Sequence, residues 1–382
     1  MSRLSRWHQD MSVGLSLLLV LVLLLSACDI ANHEASGQEP SLTSRLDAFF
    51  TSEVKEKVFS GSVLIVKGGK VLLRKGYSMA DWRHQLPNTP TTKFHIASLT
   101  KAFTAMAILI LQERGKLHVQ DHICLYVSAC PIPWQPITIQ QLLTHTSGMT
   151  ADLSPTDLIP LQGVPSSPQR NLLVLEKKGL DYPPGTQFSY SNVGYMLLGY
   201  LIEKVAQEPF ALFLQKNILN PLHMTNTGFT QKDSDVANLA TGYSQWQSPI
   251  AYEPYLSIGF AAGGLYSTVD DLSRWDQALY TQQLFSQKSL DAMFTPYVSV
   301  CPEFCPPSFS FSKQGYGYGW FIGKEAPSAR RVIWAPGVVD GFHAYLMRYL
   351  DDKVSIIVLS NLETLDPNLI PKVQKIVFAT SS

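Results

Sequence analysis

Charge is scarce in this 382-residue chain. Only 16% of its residues are Asp, Glu, Lys or Arg, and 30 basic residues stand against 30 acidic ones. A formal charge of zero, with no run of one sign, leaves no field to hold a nucleic-acid backbone and no charged binding tail. Cysteine is also sparse, with five in all. Cys124 and Cys130 are six apart and Cys301 and Cys305 four apart, so neither pair has the two-residue spacing of a zinc site. His118 and His122 could share a helix face, but Gly115 precedes them and no acidic third ligand accompanies them, so no metal site is expected. No internal repeat or low-complexity stretch interrupts the body. Apolar residues are what the chain has: 46%, enough over this length for a sizeable core and two packed lobes.

An apolar run from Val13 to Leu25 follows a short start carrying Arg3 and Arg6, and it ends in Leu25-Ser26-Ala27-Cys28. The run suits a signal-peptide core. Small residues before a cysteine resemble the lipobox of bacterial lipoproteins, in which the cysteine is lipidated and becomes the mature N-terminus. An uncleaved transmembrane anchor is the alternative, and the run is short for it. The expected division is a lipoprotein signal peptide over 1–27, a flexible polar tether over 28–41 and one domain over 42–382. The body is then held to the membrane through lipid on Cys28, facing the periplasm or the extracellular side. In an oxidising compartment, local disulfides are expected for both remaining cysteine pairs.

Gly61–Val66 and Val71–Tyr77 are β-rich runs around Lys67-Gly68-Gly69-Lys70, which predicts a hairpin. Helical spacing follows Ser98: Phe103, Met106, Ala107, Ile110 and Leu111 keep one face until Gly115 stops it. Helical signals and Pro/Gly-rich loops dominate from about Leu117 to Leu290, clearest at Asn192–Val205 and at Thr268–Tyr280, where Ser267 and Thr268 are candidate caps. Strands return at Tyr316–Ile322, Phe342–Tyr349 and Val354–Leu359, before a last helix at about Pro367–Phe378. The aromatics Tyr316, Tyr318 and Trp320 alternate along the first of these and are expected to pack. Strands at both ends with helices between predict an α+β fold: an antiparallel sheet built from both chain ends and flanked by helices, with an inserted, mostly helical lobe. A cleft between two such lobes is the expected place for a site.

Ser-x-x-Lys occurs three times: Ser52 with Lys55, Ser98 with Lys101, and Ser310 with Lys313. Only the middle one opens an amphipathic helix. The i, i+3 spacing there puts both side chains on one face, and the helix N-terminus offers backbone N–H groups to an oxyanion. A helix cap beside a solvated lysine is the competing reading. Tyr190-Ser191-Asn192 is the only Tyr-x-Asn in the chain. A serine nucleophile needs a proton acceptor. A lysine can lower a tyrosine's pKa or, desolvated, act as the neutral base itself, and an asparagine amide can hold the lysine or a substrate carbonyl. An ordinary tyrosine before a helix cap is the alternative.

Ser98-Leu99-Thr100-Lys101 with Tyr190-Ser191-Asn192 resembles the serine β-lactamase and penicillin-binding-protein superfamily, in its class C-like branch. That branch includes D-alanyl-D-alanine carboxypeptidases, esterases and D-amino-acid amidases. Ile137–Met149, with Thr144-His145-Thr146-Ser147-Gly148, and Ala261–Leu272 are similar to the same family, and the likeness runs from about Arg45 to about Asn361 with every motif in order. The resemblance implies Ser98 as the acylated nucleophile, Tyr190 and Lys101 as the coupled proton-transfer pair, and Asn192 in the hydrogen-bond network. It implies no cofactor and no metal. His145, which would lie near the cleft mouth, is expected to be a structural hydrogen-bonding residue, and His343 to pack or face solvent.

One departure stands out. The family's third motif is usually Lys-Thr-Gly or His-x-Gly shortly before a Gly-Phe; here Gly341-Phe342 sets the register and the triplet is Ala335-Pro336-Gly337. The basic group that helps to hold a substrate carboxylate is missing. Two backbone N–H groups suffice for an oxyanion hole, and carry-over assigns Ser98 and Val338, just past Gly337. The expected function is an exported serine hydrolase working through a Ser98 acyl-enzyme on an ester or amide of a small molecule or cell-wall peptide, esterase-like before β-lactamase- or carboxypeptidase-like. The alternative class is a penicillin-sensing or cell-wall-binding pseudoenzyme of the same fold.

Overall fold

The computed structural model describes residues 40–379, apart from 154–171, 173, 175, 178, 231, 251–255, 301–310 and 326–327. The expectations for Cys28, for the 1–27 segment, for Cys301 with Cys305 and for Ser310 lie outside the described residues. Leu42–Ser382 forms one compact unit.

Its centre is an eight-stranded sheet, antiparallel at every pairing. The strands are β1 (Gly61–Lys67), β2 (Lys70–Tyr77), β3 (Val298–Ser299), β4 (Phe311–Tyr316), β5 (Phe321–Glu325), β6 (Arg331–Val339), β7 (Phe342–Tyr349) and β8 (Val354–Ser360), in the spatial order β3-β4-β5-β6-β7-β8-β1-β2. Both chain ends thus contribute, as the sequence pattern predicts. The 67–70 hairpin turns on Gly68 and Gly69, at φ +56° and +79°, where only glycine is at ease.

Both faces of the sheet are covered, which explains why its central strands read as continuous apolar runs. Val354, Ile356 and Val358 of β8 pack with Leu46 and Phe50 of α1 (Leu42–Lys55) and with Val373 and Val377 of the last described helix, Leu369–Phe378. Ile357 and Leu359 point the other way, with Ile333 and Ala335 of β6, into the larger core under α2 (Thr100–Glu113) and α3 (Asn192–Ala206). The amphipathic helix expected after Ser98 is corrected: α2 has Lys101 through Leu111 buried all round, so it is a core helix rather than a surface one. Thr268 caps α4 (Val269–Ala278), its hydroxyl accepting the Asp271 N–H at 3.1 Å. Cys124 and Cys130 are joined by a disulfide.

The expected strand at Tyr316–Ile322 is corrected. β4 ends at Tyr316 and β5 begins at Phe321, with a turn between them. Gly319 at φ +80° sits in that turn, where a Cβ would come within 2.9 Å of the Lys101 carbonyl oxygen. The alternation of aromatics and glycines belongs to a turn folded onto the start of α2. Tyr316, Tyr318 and Trp320 are nevertheless buried packing residues, at 1%, 1% and 0% exposure.

Candidate active site

Ser98 lies in a short 3₁₀ turn, Ala97–Leu99, that leads into α2. Ala97, immediately before it, is held at φ +44°, a strained backbone for a residue with a side chain. One turn on, Lys101 brings its Nζ back to donate to Ser98 Oγ at 3.0 Å. The same amine donates to Asn192 Oδ1 at 2.7 Å and to the Ala262 carbonyl at 2.7 Å, and it lies 4.8 Å from the centre of the Tyr190 ring. Ser98, Lys101, Tyr190 and Asn192 therefore meet at one point, although about 90 residues of chain separate the two pairs. Of the other Ser-x-x-Lys pairs, Ser52 and Lys55 are exposed on α1.

The loop before α3 is fixed by backbone pairing. Ser189 N–H donates to the His145 carbonyl and Asn192 N–H to the Ala151 carbonyl, while Ser191 Oγ donates to the Thr150 carbonyl and accepts from Gly194 N–H. His145 is not at a cleft mouth: it is 1% exposed and tilted against the Tyr190 ring at 4.3 Å. Its Nδ1 accepts from Ser191 N–H at 3.0 Å, so the proton sits on Nε2, which donates to the Tyr316 hydroxyl at 3.1 Å. Burial, with the neighbouring Lys101 charge, holds this imidazole well below its ordinary pKa and therefore neutral. The expected structural role fits this geometry. His343 is half-buried on β7, with Nε2 on the Glu363 carbonyl.

Two features of this centre are not among the site residues expected from the sequence. Asp152 Oδ1 accepts from Asn192 Nδ2 at 2.6 Å, which fixes the amide so that its oxygen faces Lys101. The Ala262 carbonyl reaches Lys101 because the segment around it packs onto Gly199 of α3, where a Cβ would meet Ala261 Cβ at 2.5 Å. A glycine inside a strong helical pattern is the one hint of such an approach.

Burial sets the proton chemistry. Desolvation lowers the Lys101 amine from 10.5 to about 7, against a smaller upward pull from the Asp152 charge. Desolvation pushes the Tyr190 phenol well above its usual range, opposed by its hydrogen bond with Ser98. At neutral pH the lysine is thus substantially uncharged and the tyrosine keeps its proton. Such a centre can take a proton from the serine directly onto Nζ and offer one from the phenol.

β6 forms the wall beside Ser98. Gly337 packs so closely that a Cβ there would lie 2.0 Å from the Ile96 carbonyl oxygen. Val339 pairs with Phe342 across a two-residue turn, and in such hairpins the flanking pair exchanges both hydrogen bonds and the pattern then alternates. Residues 339, 337 and 335 thus bond β7, while 338 and 336 turn their backbone groups to the other edge. β5 pairs with β6 only as far as Trp334, leaving that edge open within the sheet. Pro336 stands where no N–H is required; Val338, 57% exposed, keeps one on the open edge.

These features agree with the family to which the chain can be compared. A family model described as Beta-lactamase matches residues 46–377. The chain is 32% identical over 312 residues to the protein PbpX of Bacillus subtilis (strain 168), covering 81% of this chain and 72% of that one. It is similar in structure to the octameric penicillin-binding protein homologue from Pyrococcus abyssi, with a TM-score of 0.76, 28% identity, and 88% and 77% of the two chains covered. The penicillin binding protein from Bacillus halodurans gives 0.72 at 25% identity, over 86% and 98%. The chain belongs to the Beta-lactamase family, within the superfamily of serine β-lactamases and penicillin-binding proteins. Proteins of this fold are mostly serine hydrolases.

Proposed function

We propose that this protein is an exported serine hydrolase that cleaves an ester or amide through an acyl-enzyme on Ser98. The observation that carries the reading is the 3.0 Å contact between Ser98 Oγ and a buried lysine whose amine titrates at about 7. Neutral Lys101 takes the Ser98 proton as Oγ bonds the acyl carbon. The proton then passes, by way of the Tyr190 hydroxyl, to the departing alcohol or amine. Water attacks the acyl-enzyme by the reverse route and restores Ser98. Asn192 holds the amine in place, and the N–H groups of Ser98 and Val338, the latter on the strand fixed by Gly337, receive the oxyanion. Ala335 and Pro336 supply no charge for a substrate carboxylate, so neutral esters are favoured over penicillins and carboxy-terminal peptides. Lipid on Cys28 would hold the domain at the outer face of a membrane.

The test is intact-protein mass spectrometry after exposure to a fluorophosphonate and, separately, to a penicillin. Rapid labelling by the fluorophosphonate, mapped to Ser98, with slow labelling by penicillin supports the reading. Labelling by neither overturns it in favour of a non-catalytic binding protein, and an adduct on Ser52 or Ser310 overturns the assignment of the nucleophile.

A further inference from the structure

A cavity of about 660 Å³ lies between two short hairpins, and none of its lining residues belongs to the Ser98 centre. Its volume is in the ordinary range of small-molecule sites. One hairpin pairs Met79–Asp81 with Leu86–Pro87, and the other pairs Tyr243–Gln245 with Ser248–Pro249. The two interlock. The Trp82 N–H donates to the Tyr243 hydroxyl at 2.9 Å, and the Thr241 N–H to the Ala80 carbonyl at 2.9 Å. Asn361 Nδ2 donates to the carbonyls of both Ala80 and Thr241, at 3.2 and 2.9 Å. The walls are therefore set before a ligand arrives. Gly337 packs on the turn that carries Ser98. Four residues on, Gly341 packs on Gly242, whose Cα would lie 2.9 Å from an added Cβ. At no more than about 3.6 Å per residue, the end of β6 spans at most about 14 Å between these two contacts.

The lining is aromatic at one corner and polar elsewhere. Trp82 and Tyr243 meet nearly at right angles, with ring centres 4.4 Å apart, and Trp246 meets Trp82 at 5.0 Å. Trp82 stays partly exposed, so its indole can receive C–H groups on a π face. Gln85 and Gln247 each sit at a hairpin apex with a left-handed backbone, φ +53° and +65°, which glycine would hold at less cost. Gln85 Nε2 donates to the Trp82 carbonyl at 2.6 Å, which leaves the amide oxygen to accept. Among the described residues, the Gln247 carboxamide and the Arg83 guanidinium bond nothing. His84 Nδ1 donates to Asp81 Oδ2 at 2.7 Å. Arg83 and Asp81 balance each other, so no one sign of charge dominates the lining.

We propose that this cavity binds a neutral saccharide, which stacks on Trp82 and hydrogen-bonds through its hydroxyls to Gln85, Arg83 and Gln247. Each sugar hydroxyl both donates and accepts, and carboxamides with a guanidinium near a carboxylate supply both kinds of partner. An anion would meet Asp81 as a repulsion. A wholly apolar ligand would strand the polar groups without partners. Saccharide binding here needs no reaction at Ser98.

The test is calorimetric titration of the full-length protein with cellotetraose, chitotetraose and maltotetraose, with tetragalacturonate as the anionic control. At least one neutral tetrasaccharide is expected to bind with a Kd of about 1 mM or tighter. Trp82→Ala should weaken that binding by roughly tenfold or more. Gln247→Gly should weaken it by about threefold to tenfold, the range of one lost hydrogen bond. Because glycine relieves the left-handed backbone, this second variant should melt no lower than the parent, so its weaker binding is not unfolding. Ser98→Ala should bind the same sugar as the parent does, whatever becomes of the hydrolase reading. The proposal is overturned if no neutral tetrasaccharide binds, or if tetragalacturonate binds more tightly than the neutral sugars. Binding that is lost in Ser98→Ala, or that survives unchanged in Trp82→Ala and Gln247→Gly, also overturns it, since the sugar then sits elsewhere.

Discussion

Lys101 Nζ lies 3.0 Å from Ser98 Oγ on a side chain that is 1% exposed. The two facts belong together, because a lysine in water is a poor base at neutral pH and desolvation is what makes this one available. With the amine titrating at about 7, it is protonated and unable to accept below that pH, and free to accept above it. The kcat/KM for an uncharged ester is therefore expected to rise with pH through an inflection near 7 and then level. A rise that appears only toward the ordinary lysine value of 10.5 would place the base elsewhere. Lys101→Met should lower kcat/KM by about 10²–10⁴-fold, the usual contribution of a positioned base.

Gly337→Ala puts a methyl group where the Ile96 carbonyl oxygen already sits, at 2.0 Å, with the Leu99 nitrogen at 3.1 Å. β6 must move off the turn that carries Ser98. The expected cost is about 1–3 kcal/mol in denaturant unfolding, with a fall in kcat larger than any change in KM, because the strand and the nucleophile lose their registration.

Restoring a basic third motif should change the choice of substrate. Ala335 is 3% exposed and faces the core beneath α2, so a lysine there must extend toward Ser98 and will cost stability. The measure is a ratio, which removes general damage. Ala335→Lys with Pro336→Thr is expected to raise kcat/KM for carboxylate-bearing substrates, relative to a neutral ester, by roughly tenfold or more.

Cys28→Ala is expected to release the protein from the membrane fraction, since lipid anchoring scales with buried chain at about 0.8 kcal/mol per CH₂. Fractionation of cells expressing the variant checks this. A variant as membrane-bound as the parent would point to an uncleaved anchor.

Much of this was legible in the residues because it depends on local periodicity. The Lys67–Lys70 turn, the 3.6-residue pattern after Ser98 and the apolar run of β8 each encode one element, whereas Ser98, Lys101, Tyr190 and Asn192 are picked out by the family resemblance of their ordered motifs, since each spacing alone is weak. The 316–322 region misled because buried aromatics separated by glycines alternate in a packed turn as they do in a strand. α1 escaped notice, since only a narrow face, Leu46 and Phe50, is fully buried. The roles of Asp152 and of the Ala262 carbonyl were hidden for a different reason. One is a lone carboxylate in a loop and the other has no side-chain chemistry, and only the fold brings them to Lys101.

The most direct measurement is a rapid-quench reaction with a neutral activated ester such as 4-nitrophenyl acetate, followed by peptide mapping. An acyl-enzyme mechanism predicts a burst of nitrophenol matching the enzyme concentration when deacylation is the slower step, with the acetyl group on the peptide containing Ser98. Both signals should vanish in Ser98→Ala and be slowed in Lys101→Met. Turnover that persists in Ser98→Ala, or an acetyl group mapped to another residue, would contradict the account.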